Sequence, residues 1–129
     1  MAKKTVIVSD SRTARMFIRQ CFDIAGFGDF EILEASCGQG SMDIIQAHPE
    51  VSLVIIDVNM PQEDGISILK DMREIQSFKH VPVVVISSTQ NPVRDFEFKA
   101  LQVTAVLAKP LHLPLVAGTL RKIKSRFGI

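Results

Sequence analysis

Short runs of β-branched and aliphatic residues alternate along the chain with longer stretches in which apolar positions recur at helical spacing. Thr5 to Val8 is the first run. Ala14, Phe17, Ile18, Cys21, Phe22 and Ala25 then fall on one helical stripe, which Gly26 ends. Glu31 to Ala35 predicts a second strand. Gly38 to Ala47 predicts a weak helix with Met42, Ile44 and Ile45 apolar, stopping at His48-Pro49. Leu53 to Ile56 is continuously apolar, as expected of a strand buried on both faces. Gly65 to Ile75 predicts a helix with Ile66, Leu69 and Met72 inward, and Val81 to Ile86 a fourth strand. Pro92 to Leu101 predicts a helix with its proline in the first turn and Val93, Phe96 and Ala100 inward. Ala105 to Ala108 predicts a fifth strand. Leu113 to Phe127 predicts a last helix with Val116, Ala117, Leu120 and Ile123 on one stripe.

Strict alternation of strand and helix argues for an α/β domain with a parallel sheet covered on both sides. Right-handed crossovers leave few topologies for it. Ligands in such sheets bind beyond the carboxyl ends of the strands, so chemistry is expected in the residues just after each strand.

Composition narrows the function classes. The 129 residues fit one domain, residues 1–129, with no output domain expected. A formal net charge of +1 gives no bulk electrostatic case for nucleic acid or a membrane surface. No apolar run approaches the roughly 20 residues that a membrane helix needs. Met1-Ala2-Lys3-Lys4 leads directly into a strand rather than a signal peptide, so the expected location is the cytoplasm. Two cysteines, Cys21 and Cys37, make no disulfide framework and read as a core and a loop-edge residue. His48, His80 and His112 lie far apart and read as surface or boundary residues without metal-ligand spacing.

The strand ends carry the chemistry. Ser9-Asp10-Ser11 follows the first strand, Asp57-Val58-Asn59-Met60-Pro61 the third, Ser87-Ser88-Thr89 the fourth and Lys109-Pro110 the fifth. Taken singly, several have ordinary readings. Asp10 can cap the following helix, Ser87 can bond its own loop, and Lys109 can be a surface lysine. Asp57 is different, because a carboxylate after four buried apolar residues is costly unless paired or metal-bound. Together they suit phosphoryl transfer: an aspartate nucleophile, a second carboxylate sharing a magnesium ion, a lysine and a hydroxyl for the phosphoryl oxygens.

On these residues the chain resembles the receiver domains of two-component response regulators, especially the stand-alone chemotaxis type. The resemblance covers nearly the whole chain from Thr5. It is carried by Val8-Ser9-Asp10-Ser11, by Ile56-Asp57-Val58-Asn59-Met60-Pro61-Gln62-Glu63-Asp64-Gly65, by Val85-Ile86-Ser87-Ser88 and by Ala108-Lys109-Pro110. It implies a single flavodoxin-like, doubly wound domain: a five-stranded parallel sheet in the order 2-1-3-4-5 with five helices. It implies that Asp57 accepts phosphate from a histidine kinase or a histidine phosphotransfer protein. Mg2+ (or Mn2+) would be held by Asp10, Asp57 and the backbone carbonyl of Asn59. Lys109 and Ser87, with Ser88 beside it, would contact the phosphoryl group. Ser87 would be the switch hydroxyl, while Asn59 and Thr89 would tune phosphate lifetime. The Lys109-Pro110 bond resembles one that is often cis, and Asp64-Gly65 resembles a structural turn into a helix. The implied protein is a self-phosphorylating and autodephosphorylating switch, not a turnover enzyme, acting on an unknown downstream protein without binding nucleic acid or inserting into a membrane.

Two positions depart from the pattern. Ser9 stands where the family usually has the first of two acids, beside the metal rather than on it, which implies weaker magnesium affinity. Val106 stands where an aromatic side chain often rotates with the switch, which implies readout through the backbone and the helix after Ser87. The surface of that helix, the fifth strand and the last helix would be the one partners read. Arg121, Lys122, Lys124 and Arg126 read mainly as a solvated face suited to a helix carboxyl end. Ser9 and Val106 also favour a rival, a phosphorylation-independent interaction module. An aspartate-nucleophile phosphatase would want an acid at Asn59 and a cap domain. A flavin carrier would want a Ser/Thr/Gly-rich loop after the first strand, and Ser9 to Arg15 contains no glycine.

Overall fold

The structure, a computed structural model, describes residues 3–36, 38–60, 65–88 and 91–129, apart from the side chains of residues 38 and 39. Five strands, β1 (Lys4–Val8), β2 (Glu31–Ala35), β3 (Leu53–Asp57), β4 (Val83–Ser87) and β5 (Ala105–Ala108), pair in parallel in the order β2-β1-β3-β4-β5. Between and after them run α1 (Arg12–Ile24), α2 (Gly38–Ala47), α3 (Gly65–Glu74), α4 (Pro92–Ala100) and α5 (Leu113–Phe127). A short 3-10 turn over Gln76–Phe78, not expected from the sequence, follows α3. Order, direction and helix number are those expected.

The sheet separates two apolar cores because successive strand residues point to opposite faces. Val54 and Ile56 of β3 face α2, α3 and α4, where they meet Ile45, Leu69, Met72 and Phe98. Leu53 and Ile55 face α1 and α5, where they meet Ile18, Phe22, Val116, Leu120 and Ile123. Every residue of β3 and β4 is buried, which is why these strands read as unbroken apolar runs. Cys21 packs in the second core, where burial pushes its thiol pKa up and leaves it unreactive. Cys37 lies outside the described residues. Among the described residues, no helix is long and apolar enough to cross a membrane.

Helix ends follow local chemistry. Ser11, not Asp10, caps α1: its Oγ accepts the Ala14 N–H at 3.1 Å. Asp10 is thereby relieved of the ordinary role the sequence allowed it. Gly26, at φ +89°, turns the chain after α1 through the left-handed region that glycine alone enters cheaply. Arg121 donates to the Ile24 carbonyl at 3.2 Å, and Lys124 donates to the Gly26 carbonyl while lying over the Phe27 ring. Part of the basic run thus fastens α5 to the end of α1 rather than facing only solvent.

One expectation fails. Val93, Phe96 and Ala100 of α4 turn outward, with Val93 70% and Phe96 75% exposed, while Phe98 is buried. The helix carries two apolar stripes, and periodicity alone cannot choose between them. Phe98, with Leu101 and Val103 beyond it, reaches the core under β4 and β5. Arg73, at the end of α3, holds the carboxyl end of α4 in that setting. Its Nε donates to the Leu101 carbonyl at 2.9 Å and its Nη2 to that of Gln102 at 3.3 Å. Its Nη1 also bonds the carbonyls of Phe78 at 2.8 Å and Val81 at 2.9 Å.

At the opposite rim Gly65 opens α3 directly beneath the end of β3. A Cβ there would stand 2.8 Å from the Asp57 carbonyl, the Ile56 Cγ2 and the Val58 Cα. Two of these are backbone atoms that cannot swing aside. Gly65→Ala is therefore expected to lose about 1–3 kcal/mol, the usual cost of overpacking, measured by urea denaturation.

Candidate functional site

Asp57 is the last residue of β3, between β1 and β4, and is 2% exposed. A carboxylate so buried needs compensating donors. Lys109 provides the main one: its Nζ lies 2.9 Å from Oδ2 and 3.1 Å from Oδ1. The Asn59 N–H donates to Oδ1 at 2.9 Å, and the Ser9 hydroxyl stands 3.4 Å from Oδ2. The lysine comes from the end of β5, two strands away, and its side chain is 32% exposed. The ion pair is thus dry on the acid side and open to water on the amine side.

Strand register brings the other residues to this rim. Asp57 is level with Ile86, and Ser87 with Ala108, so the ends of β3, β4 and β5 step together. The ladder continues past the strands: Val58 N–H donates to the Ile86 carbonyl and Lys109 N–H to the Ser87 carbonyl, both at 3.0 Å. Ser87 is buried. Ser88 is exposed, and its N–H donates to Asn59 Oδ1 at 2.6 Å, tying the loop after β4 to the loop after β3. Asp10 is exposed next to buried Ser9. Val106 is on β5, 41% exposed, on the side of α4. The Lys109-Pro110 bond is cis. Thr89 and the Pro61 to Asp64 segment lie outside the described residues.

The sequence reading missed a second charged group beside this rim. Glu34 of β2 accepts from Arg15 Nε at 2.8 Å through one oxygen and from Arg19 Nε at 2.6 Å through the other. Arg15 also donates from Nη1 to the Ser9 carbonyl at 2.6 Å. Arg15 and Arg19 are one helical turn apart on α1, a visible signal, but Glu34 is distant in sequence and only the β1–β2 pairing brings it near. Burial pushes the Glu34 carboxyl up, but the hydrogen bonds and charges of Arg19 and Arg15 outweigh it and hold the pKa below the ordinary range.

Among the described residues, no group of three or more His, Cys, Asp or Glu side chains stands ready to hold a metal. Among the described residues the groups at the rim that could bind a cation are carboxylate, hydroxyl, carboxamide and backbone oxygens, without thiolate or imidazole. That chemistry fits a hard ion such as magnesium, which takes one or two carboxylates and keeps several waters, and not a zinc site.

A doubly wound sheet with an aspartate and a lysine paired across its carboxyl rim defines a class of protein, and comparison agrees. The family model described as the response regulator receiver domain matches residues 5–120, and the chain belongs to that family. The chain is similar to chemotaxis protein CheY1 of Helicobacter pylori, 31% identical over 85 residues, which cover 66% of this chain and 67% of that one. It is also similar to chemotaxis protein CheY-3 of Vibrio cholerae, 28% identical over 123 residues, covering 95% and 92%. The solved structure of CheY4 of Vibrio cholerae superposes with a TM-score of 0.82 at 26% identity, covering 95% of this chain and 99% of that one. These relatives support a chemotaxis-type receiver domain. Receiver domains are signalling switches that bind a divalent metal and receive phosphoryl groups from histidine kinases.

Two outcomes follow from the charges. Lys109→Met, which leaves the Asp57 carboxylate without its ammonium, is expected to lower stability at neutral pH by about 1–3 kcal/mol. The loss should shrink in an Asp57→Asn background, where urea titration of both pairs of variants isolates the ionic part. For Glu34, folding lowers the pKa, so its contribution is complete above the ordinary glutamate range and fades as pH falls through the lowered value. The stability gap between wild type and Glu34→Gln is expected to hold near neutrality and to close in acid.

Proposed function

We propose that the chain, residues 1–129, works as a phosphoacceptor switch of a two-component system in the cytoplasm, with Asp57 as the acceptor. The observation that carries this reading is the contact between Lys109 Nζ and the buried Asp57 carboxylate at 2.9 Å, made by residues from two different strand ends. A structural aspartate would gain more from apolar replacement than from such a pair, since desolvation consumes much of the attraction.

In the proposed reaction an Asp57 oxygen attacks the phosphorus of a phosphohistidine on a histidine kinase or histidine phosphotransfer protein. The P–O bond forms as the P–N bond breaks, and the electron pair returns to the imidazole nitrogen. Lys109 holds the carboxylate in place and then neutralises phosphoryl oxygens. Ser87 donates its hydroxyl to one of those oxygens, and the Ser88 N–H and Asn59 lie beside them. Asp10, Asp57 and the Asn59 carbonyl would hold Mg2+ or Mn2+, which would neutralise charge between two carboxylates that otherwise repel. Ser9 substitutes a neutral hydroxyl for an acid here, which lowers the negative charge and with it the cation affinity. Hydrolysis of the acyl phosphate on the same residue resets the switch, so no external substrate is turned over.

The output is a change in protein binding at the face of α4, β5 and α5. The outward Val93, Phe96 and Val106 support that location, since exposed apolar side chains in one area mark interaction surfaces. The link starts at Ser87 and Ser88, whose N–H bonds Asn59 after β3 and whose chain leads on to α4. Phosphorylation acts by favouring one of two arrangements of the end of β4 and of α4.

Ser9 and the exposed Val106 favour a second reading, a receiver-like module that binds partners without phosphorylation. The two are separated by incubation with acetyl phosphate and Mg2+ followed by intact mass measurement. A gain of one phosphoryl group in the wild type, absent in Asp57→Ala, is expected. A folded wild type that gains no mass with magnesium present establishes the second reading instead.

A further inference from the structure

The loop between β1 and α1 carries Asp10, and its main-chain geometry is set by Ser9. Each polar atom of Ser9 is engaged. Its N–H donates to the Ala35 carbonyl at 3.0 Å, extending the β1–β2 ladder by one residue. Its Oγ accepts the Ser11 N–H at 3.2 Å and faces Asp57 Oδ2 at 3.4 Å. Its carbonyl lies beyond the last paired strand residue, Val8, and receives Arg15 Nη1 at 2.6 Å. The peptide unit is planar, so fixing the Ser9 oxygen also fixes the Asp10 N–H and the direction in which the Asp10 Cα leaves the sheet. A charged donor makes this a stronger restraint than a neutral one.

Arg15 is itself held. Its Nε bonds one oxygen of Glu34, while Arg19 bonds the other and the Ile32 carbonyl at 3.2 Å. The guanidinium is a planar fork that spans an acid on β2 and a carbonyl on the β1–α1 loop. Lysine has no equivalent geometry. Glu34 also offsets a positive charge that would otherwise stand close to a cation site.

We propose that Arg15 is the positioning residue for the Asp10 side of the divalent-cation site, acting through the Ser9 carbonyl. The proposal rests on the reading of Asp10 and Asp57 as cation ligands. Groups that orient ligands without touching the metal commonly change affinity by about tenfold or more when removed.

The sign of the effect separates positioning from charge. Removing a cationic side chain near a cation site should tighten binding if charge alone matters; losing the restraint on Asp10 should weaken it. The experiment titrates the unphosphorylated 129-residue chain with Mn2+, reading the free ion by electron paramagnetic resonance, alongside thermal denaturation. Arg15→Met is expected to bind Mn2+ about tenfold more weakly than wild type. Arg19→Met, which loses the same Glu34 partner but no contact with Ser9, is expected to lose thermal stability and keep wild-type affinity. Arg15→Lys, which keeps the charge and loses the fork, is expected to weaken binding and serves if Arg15→Met does not fold. Unchanged or tighter binding in the Arg15 variants overturns the proposal, as does equal weakening in Arg19→Met. Absence of Mn2+ binding by the wild type is a separate outcome: it removes the cation reading itself and leaves Arg15 a structural residue.

Discussion

A buried carboxylate at the end of β3 is the constraint around which the molecule is arranged. Left alone, its charge would be intolerable in an apolar sheet. It is tolerable because β5 delivers Lys109 to the same rim and because the loop after β3 turns the Asn59 N–H back onto it. Both donors depend on parallel register, since a strand shifted by one residue would send its side chains to the opposite face. Gly65 completes the arrangement, since a larger residue would push α3 off the end of the strand that carries Asp57.

The two sides of the rim are built differently. Toward β2, charged side chains close on one another: Arg15 and Arg19 share Glu34, and Arg15 reaches Ser9. Toward α4, the Ser88 N–H donates to the Asn59 carboxamide, and α4 shows the apolar side chains of Val93 and Phe96 to solvent. The carboxylate at the end of β3 thus lies between a cluster of paired charges on one side and an exposed apolar surface on the other.

Much of this was legible in the sequence. The element order, the burial of β3 on both faces, the inward stripe of α5 and the gathering of Asp57, Ser87 and Lys109 at one rim all followed from periodicity and from where strands stop. What escaped was information that one dimension does not carry. In α4 the stripe of Val93, Phe96 and Ala100 and the stripe of Phe98 and Leu101 are equally helical, and only the docking of Phe98 under the sheet selects between them. The capping of α1 by Ser11 rather than Asp10 turned on one residue of local geometry. Glu34 and Arg15 are 19 residues apart and meet only once β2 lies beside β1.

Arg73 shapes how α4 can move. By gripping the carbonyls of Leu101 and Gln102 from α3, it clamps the helix at its carboxyl end, and its bonds to Phe78 and Val81 root that clamp in the segment entering β4. A rod fixed at one end pivots, and displacement grows with distance from the fulcrum. At 1.5 Å of rise per residue, Pro92 and Val93 lie roughly 12 Å out along the arm. Any displacement of α4 would therefore be larger at its amino-terminal half than at the end that Arg73 and Phe98 hold to the core.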